Sequence, residues 1–183
     1  KKGDNLGQML ETYDYDTFAT GKWHLSDELF YKSFKSYENI FFGGMMSRKS
    51  KISYNKNGGN TILRDKYPGE IFTDSLISYI KTKQDKSKPY FGYIAYTEPH
   101  DPLRMIKEFK TENKAIIPNN FKYKHSFSFG QEHHRDEKLM KRPLDKKKLL
   151  LNIKKYMTMM SYLDTQINKI IESLDSPTII IFT

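Results

Sequence analysis

An α/β fold, a mostly parallel sheet with helices on both faces, is predicted by three features of the 183-residue sequence. Short β-prone runs alternate with helical stripes along the chain. The run Thr178-Ile179-Ile180-Ile181-Phe182-Thr183 is continuous and β-branched, which suits a parallel strand buried on both faces. The strongest helical stripe, Lys147 to Leu174, stands directly before that run, and Asp175 and Pro177 turn one into the other.

Taken in order, Leu6, Met9, Leu10 and Tyr13 recur at helical spacing, so a helix is expected over Asn5–Tyr13. Tyr15 to Thr20 is a short strand that ends at Gly21. A loop rich in Gly, Asn, Ser and Lys follows from about Gly43 to Gly69. Asp74 is the candidate cap of a helix on which Leu76, Ile77 and Ile80 share a face. Pro89 introduces a second strand, Tyr90 to Tyr96. Residues 97 to about 145 are polar and broken by Pro99, Pro102, Pro118 and Pro143. In the long stripe, Ile153, Tyr156, Met157, Met160, Leu163, Ile167, Ile170, Ile171 and Leu174 are the expected buried face. The fold is expected to be incomplete at both ends: the chain opens on a helix with nothing ahead of it and stops on a strand that needs a connection onward.

Hydrophobic residues make up 37% and aromatics 14%, enough for a core. No apolar run approaches the roughly 20 residues of a membrane span, and no apolar stretch of a signal peptide follows Lys1. The net charge of +9 suggests a polyanion, but of 31 basic residues only five are arginine. Nucleic-acid readout favours the planar arginine fork. The lysines are also scattered, with Lys146-Lys147-Lys148 the longest run, so solvated faces are expected and a nucleic-acid partner is not. With no cysteine, disulfides, thiolate metal sites and a cysteine nucleophile are excluded within these residues.

Ligands of open α/β sheets gather at the carboxyl ends of strands. One such end delivers Gly21, Lys22 and His24; another delivers Glu98, His100 and Asp101. Lysine brings a compact positive charge for an oxyanion, and histidine donates a proton near neutral pH. That set suits an anionic ester, provided the two strands are neighbours. Each residue alone also has a plainer reading: a lysine stem lying over the Trp23 ring, or a turn histidine after Pro99. His133-His134 beside Arg135-Asp136-Glu137 reads as a polar loop, since adjacent residues rarely ligate one metal ion in good geometry.

Asp14-Tyr15-Asp16-Thr17-Phe18-Ala19-Thr20-Gly21-Lys22-Trp23-His24-Leu25 resembles the second signature of the sulfatases, Gly-Tyr-x-Thr-x-x-x-Gly-Lys-Trp-His-Leu. Tyr37 to Gly43 is similar to the family's Gly-Phe-Asp-x-Phe-Phe-Gly stretch. Lys88 to Leu103 is similar to its Pro-Phe-Phe strand ending in Pro-His-x-Pro. His125 to Phe129 with Arg135-Asp136-Glu137 resembles a segment of bacterial arylsulfatase-like members. The helix carrying Asp164-Thr165-Gln166-Ile167 and the closing Ile181-Phe182-Thr183 complete the ordered set. Asp14 stands where the family prefers glycine, and aspartate tolerates a left-handed turn better than most residues.

The resemblance implies an alkaline-phosphatase-like fold and hydrolysis of a sulfate monoester by the complete protein. It implies that residues 1–183 are the central part of the catalytic domain, without the preceding nucleophile and metal segment or the following metal-binding segment. Lys22 would bind sulfate, His24 would hold the formylglycine nucleophile, and His100 would contact sulfate and protonate the leaving oxygen. Asp101, Arg104, His134 and Arg135 would neighbour the substrate, with Glu98 near them. Calcium and formylglycine are expected in the complete protein, with their residues outside this chain and no metal ligand within it. The expected substrate is a sulfated small molecule or sulfated carbohydrate, and a periplasmic or secreted location fits the family. A phosphate or phosphonate ester hydrolase of the same superfamily is the alternative. A non-catalytic, lysine-rich polyanion-binding module is the alternative of another kind.

Overall fold

The computed structural model describes residues 5–46, 51–53, 60–62, 66–109, 115–119 and 145–183. Two compact units are present: Lys1–Glu98 with Leu163–Thr183, and Pro99–Tyr162.

The first unit opens on helix α1, Leu6–Thr12, whose start is a capping box. Gln8 N–H donates to Asn5 Oδ1 at 3.0 Å, and Asn5 N–H donates to Gln8 Oε1 at 3.2 Å, so two otherwise orphaned donors are satisfied. The helix ends in a Schellman turn: Tyr15 N–H reaches Leu10 O and Asp14 N–H reaches Glu11 O, each at 3.1 Å. That turn puts Asp14 in the left-handed region with φ 61°, the conformation its place in the sequence anticipated. Strand β1, Asp16–Trp23, follows, then helix α2, Asp27–Ser33, whose first turn is capped by the Ser26 hydroxyl. Strands β2, Ser36–Phe42, β3, Lys51–Ser53, and β4, Asn60–Ile62, come next. Helix α3, Pro68–Ser78, continues as a π-helical turn over Tyr79–Lys83 and leads to strand β5, Tyr90–Ala95.

The sheet order is β4-β3-β2-β1-β5. β1 runs parallel to both neighbours, β2 and β5, whereas β3 and β4 add antiparallel pairs at the far edge. Alternation along β1 assigns the two faces. Phe18 packs with Leu76, Tyr79 and Ile80 on the α3 side, its ring stacked 4.3 Å from that of Tyr79. Ala19 packs with Phe30, Phe34, Tyr37 and Ile40 on the α2 side. Each fully buried phenylalanine is worth about 1.5–3 kcal/mol, so the aromatic content supplies much of the cohesion. At the contact of α1 with α2, Gly7 is buried, and a Cβ there would lie only 1.9 Å from Ser33 O.

Helix α4, Lys146–Glu172, matches the long stripe. Asp145 starts it by accepting from Lys148 N–H at 2.8 Å. Its buried face is rotated from the expected one: Met159, Tyr162 and Gln166 are buried, while Tyr156, Met160 and Ile171 are exposed. Apolar residues surround most of this helix, so packing partners choose the inward face rather than periodicity. Ile170 and Leu174, within the first unit, pack against the Phe18 cluster. In the second unit, Ile106 and Met159 are fully buried. Ile106 N–H donates to Thr158 Oγ1 at 3.2 Å, and Phe109 meets Tyr162 edge-on at 5.6 Å.

Four expectations are corrected. The first strand runs on to Trp23 rather than ending at Gly21. Helix α3 starts at Pro68, not at Asp74; proline suits the first helical position, and Glu70 satisfies Tyr67 N–H at 2.9 Å. Asp74 instead sits mid-helix with Lys66 Nζ 3.0 Å away. The expected loop Gly43–Gly69 contains β3, β4 and the start of α3. Finally, Thr178–Thr183 forms no strand; Ile179 is 89% and Phe182 74% exposed, because β-branched residues make a strand only where a ladder partner is available. Among the described residues no helix is long and apolar enough to cross a membrane.

Burial first, and the neighbouring Tyr31 second, push the Tyr37 phenol up to about 12; burial and the Asp16 carboxylate raise Tyr79 as well. Both folded values exceed the unfolded one of about 10, so this stability is fully present below about pH 10. It is lost as pH rises through about 12 for Tyr37. Urea melts across that range are expected to show falling stability, with the last part of the tyrosinate absorbance appearing only as the fold is lost.

Candidate active site

The parallel pairing of β1 with β5 meets the condition that the two delivering strands be neighbours. Their register runs from Asp16↔Tyr90 to Gly21↔Ala95, so both carboxyl ends open on one edge of the sheet, beside that of β2. Gly21 has φ 102°, and a Cβ there would lie 2.1 Å from Ala95 O. Two independent reasons therefore demand glycine: a left-handed backbone and the close approach of the β5 main chain.

Lys22 is the next residue, paired in register with Phe41 of β2. Successive residues of a strand face opposite ways. Trp23 belongs to the α2-side cluster, whereas Phe41 belongs with Phe72, Ile94 and Tyr96 on the α3 side. Lys22, paired with Phe41, is thereby separated from the Trp23 ring, and the reading of its stem as a cover for that ring does not hold. Trp23 is fixed by edge-on contacts with Phe30, Phe34 and Tyr93, and its Nε1–H donates to Ser26 O at 3.1 Å. This locks the turn between β1 and α2. His24 lies in that turn and is exposed. Opposite it, Gly43 N–H donates to Trp23 O at 3.2 Å, and a Cβ on Gly44 would stand 3.5 Å from His24 Nε2.

At the end of β5 lies a polar group that sequence reading only touched. The Tyr96 hydroxyl is 2.7 Å from Thr73 Oγ1 of α3, and Thr97 Oγ1 donates to Glu98 Oε2 at 2.8 Å. Thr97 and Glu98 are buried. Burial pushes the Tyr96 phenol up to about 12, with the Glu98 charge adding to the rise and the Thr73 bond opposing it.

His100, Asp101 and Arg104 belong to the second unit. His100 is exposed, and its Nδ1–H donates to Asp101 O at 2.8 Å. The Asp101-Pro102 bond is cis. Arg104 is half-buried, its N–H on Met159 Sδ at 3.4 Å. His133, His134 and Arg135, with the segment from His125 to Phe129, lie outside the described residues.

Sequence reading missed Asn39, a buried residue with φ 53° inside the apolar run Tyr37–Phe42. An asparagine there was itself the available signal, because strands are depleted in it. Among the described residues no three of His, Cys, Asp and Glu are grouped to hold a metal ion. The calcium implied by the resemblance finds no donor set among those residues.

Three parallel strands, helices on both faces and a lysine and histidine leaving the carboxyl edge define an α/β protein of the alkaline-phosphatase-like fold. Three solved structures share it. One is a Bacteroides thetaiotaomicron protein from the metabolism of multiple glycosaminoglycans (TM-score 0.61, 13% identity, 94% of this chain and 38% of that one). Another is Ps i-CgsB in complex with k-i-k-neocarrahexaose (TM-score 0.58, 18% identity, 91% and 35%). The third is the candidate sulfatase YidJ of Bacteroides fragilis (TM-score 0.55, 16% identity, 94% and 40%). The chain belongs to the sulfatase family, whose model matches residues 1–183. It is 30% identical over 134 residues to an arylsulfatase of Klebsiella aerogenes, covering 58% of this chain and 28% of that protein.

Gly21→Ala is expected to cost about 2–5 kcal/mol, combining left-handed strain with a backbone collision. Gly44→Ala, whose new methyl group meets His24 at ordinary contact distance, should stay within about 0.5 kcal/mol. Urea unfolding midpoints at unchanged slope would measure both.

Proposed function

We propose that this chain is the central part of a sulfatase catalytic domain and that the complete protein hydrolyses a sulfate monoester. The observation that carries this reading is the Gly21-Lys22-Trp23-His24 end of β1, held beside β5, whose chain runs on to Pro99-His100. Lys22 supplies fixed positive charge for the sulfate oxygens at the carboxyl edge of the sheet. His24, fixed in its turn by Trp23 and set against Gly44, orients the nucleophile. His100 protonates the leaving oxygen through Nε2, its ring orientation set by the Nδ1–H bond to Asp101 O. Asp101, Arg104, His134 and Arg135 are assigned to the substrate's surroundings, and Glu98 is assigned with them.

The chain spans 28% of its curated relative and 38% of the first structural neighbour. The nucleophile, as formylglycine, and the calcium ligands are assigned to segments outside residues 1–183; there formylglycine would supply the attacking oxygen and calcium further charge neutralisation. A sulfated carbohydrate is the favoured substrate class. Its support is the company of folds: one neighbour belongs to glycosaminoglycan metabolism and another was solved with k-i-k-neocarrahexaose.

In the complete protein, Lys22→Ala and His100→Ala are each expected to lower turnover of an aryl sulfate by about 10²–10⁴-fold without unfolding. Near wild-type rates in both folded variants would remove the site assignment, and faster cleavage of an aryl phosphate than of the sulfate would replace the reaction. Residues 1–183 alone are expected to show no turnover; a measurable rate from the purified chain would contradict the division of labour proposed.

A further inference from the structure

We infer that Asn39, held by Ser75, is a positioning residue that sets where the Lys22–His24 end of β1 stands against β2. The inference rests on the assignment of Lys22 to sulfate binding. Between Ala19↔Tyr37 and Gly21↔Ile40, two steps along β1 oppose three along β2, so one extra residue is inserted into β2. Asn39 lies in that insertion with φ 53° and a buried side chain. Bulges of this kind re-aim the residues that follow them.

A buried hydrogen-bond chain holds the bulge. Ser75 Oγ donates its only proton to Ile71 O at 2.8 Å, one turn back along α3. It can therefore only accept from Asn39, whose Nδ2 lies 2.7 Å away. A buried polar pair so arranged costs little while both partners remain and much when one is removed.

The register that follows is visible in the packing. Tyr37 and Ile40, three residues apart, both belong to the α2-side cluster, while Phe41 packs with Phe72 of α3. Regular alternation would put Tyr37 and Phe41 on one face and Ile40 on the other. The inserted residue also makes Phe41, rather than Ile40, the partner of Lys22, and it brings Gly43 N–H onto Trp23 O and Gly44 beside His24. Asn39 and Ser75 act on Lys22 through the strand.

The test is inorganic-sulfate binding to the full-length protein by calorimetry, beside urea stability of each variant. Asn39→Gly keeps the left-handed backbone and removes the side chain; Ser75→Ala removes the acceptor and favours the helix; Ser75→Thr keeps a hydroxyl. The first two are expected to weaken sulfate binding by about three- to tenfold while folded, and Ser75→Thr to restore it. In a Lys22→Ala background, neither should have any further effect on sulfate binding. Wild-type sulfate affinity in folded Asn39→Gly and Ser75→Ala, whatever their stability, overturns the inference. Wild-type affinity in Lys22→Ala alone shows that the sulfate-binding assignment has failed, and the inference falls with it.

Discussion

The seam between β1 and β5 depends on a main-chain approach that only residue 21 permits. At Gly21 the backbone is left-handed and the place of a side chain is filled by Ala95 O. A parallel sheet needs both faces covered, and here α2 and α3 supply the covers from opposite sides of the same strand. If the seam opened at Gly21, the aromatic layers on both faces would lose their shared strand, and Lys22 would lose its place at the edge. Stability and site geometry thus meet at one glycine.

Polar pairs are set into the bulge of β2 and just past the end of β5. Asn39 with Ser75, Tyr96 with Thr73, and Thr97 with Glu98 each pair hydrogen-bonding atoms in buried or half-buried surroundings. Desolvating such atoms is costly unless they are paired, so each pair has one geometry strongly preferred over all others. An apolar edge would be more forgiving of slippage. The consequence for function is that the strand end holding Lys22 and His24 rests on directional contacts, not on packing alone.

Elements with a strong local signal were legible in the sequence: α1 from its spacing, β5 from its aromatic run after Pro89, and α4 from its length. The motif Gly21-Lys22-Trp23-His24 was legible as chemistry, and the structure explains its physical grammar. Glycine admits the neighbouring backbone, lysine takes one face, tryptophan locks the other, and histidine follows in the locked turn. Less legible were α2, β3 and β4, which are short and lie in polar sequence, and the inward face of α4. Gln166, 1% exposed, is buried while Met160 faces outward, a choice made by what the helix meets.

From residues alone came the α/β class, the family resemblance and the candidacy of Lys22, His24 and His100, because these rest on local periodicity and on a short, ordered motif. Only the tertiary structure decided that β1 and β5 are neighbours, that Lys22 and Trp23 serve opposite faces, and that β2 carries an extra residue at Asn39. It also decided that Thr178–Thr183, for all its β-branched residues, stands without a ladder partner among the described residues. The reason is common to all four. Pairing and register belong to contacts between segments distant in sequence, and no local pattern encodes which partner a strand will meet.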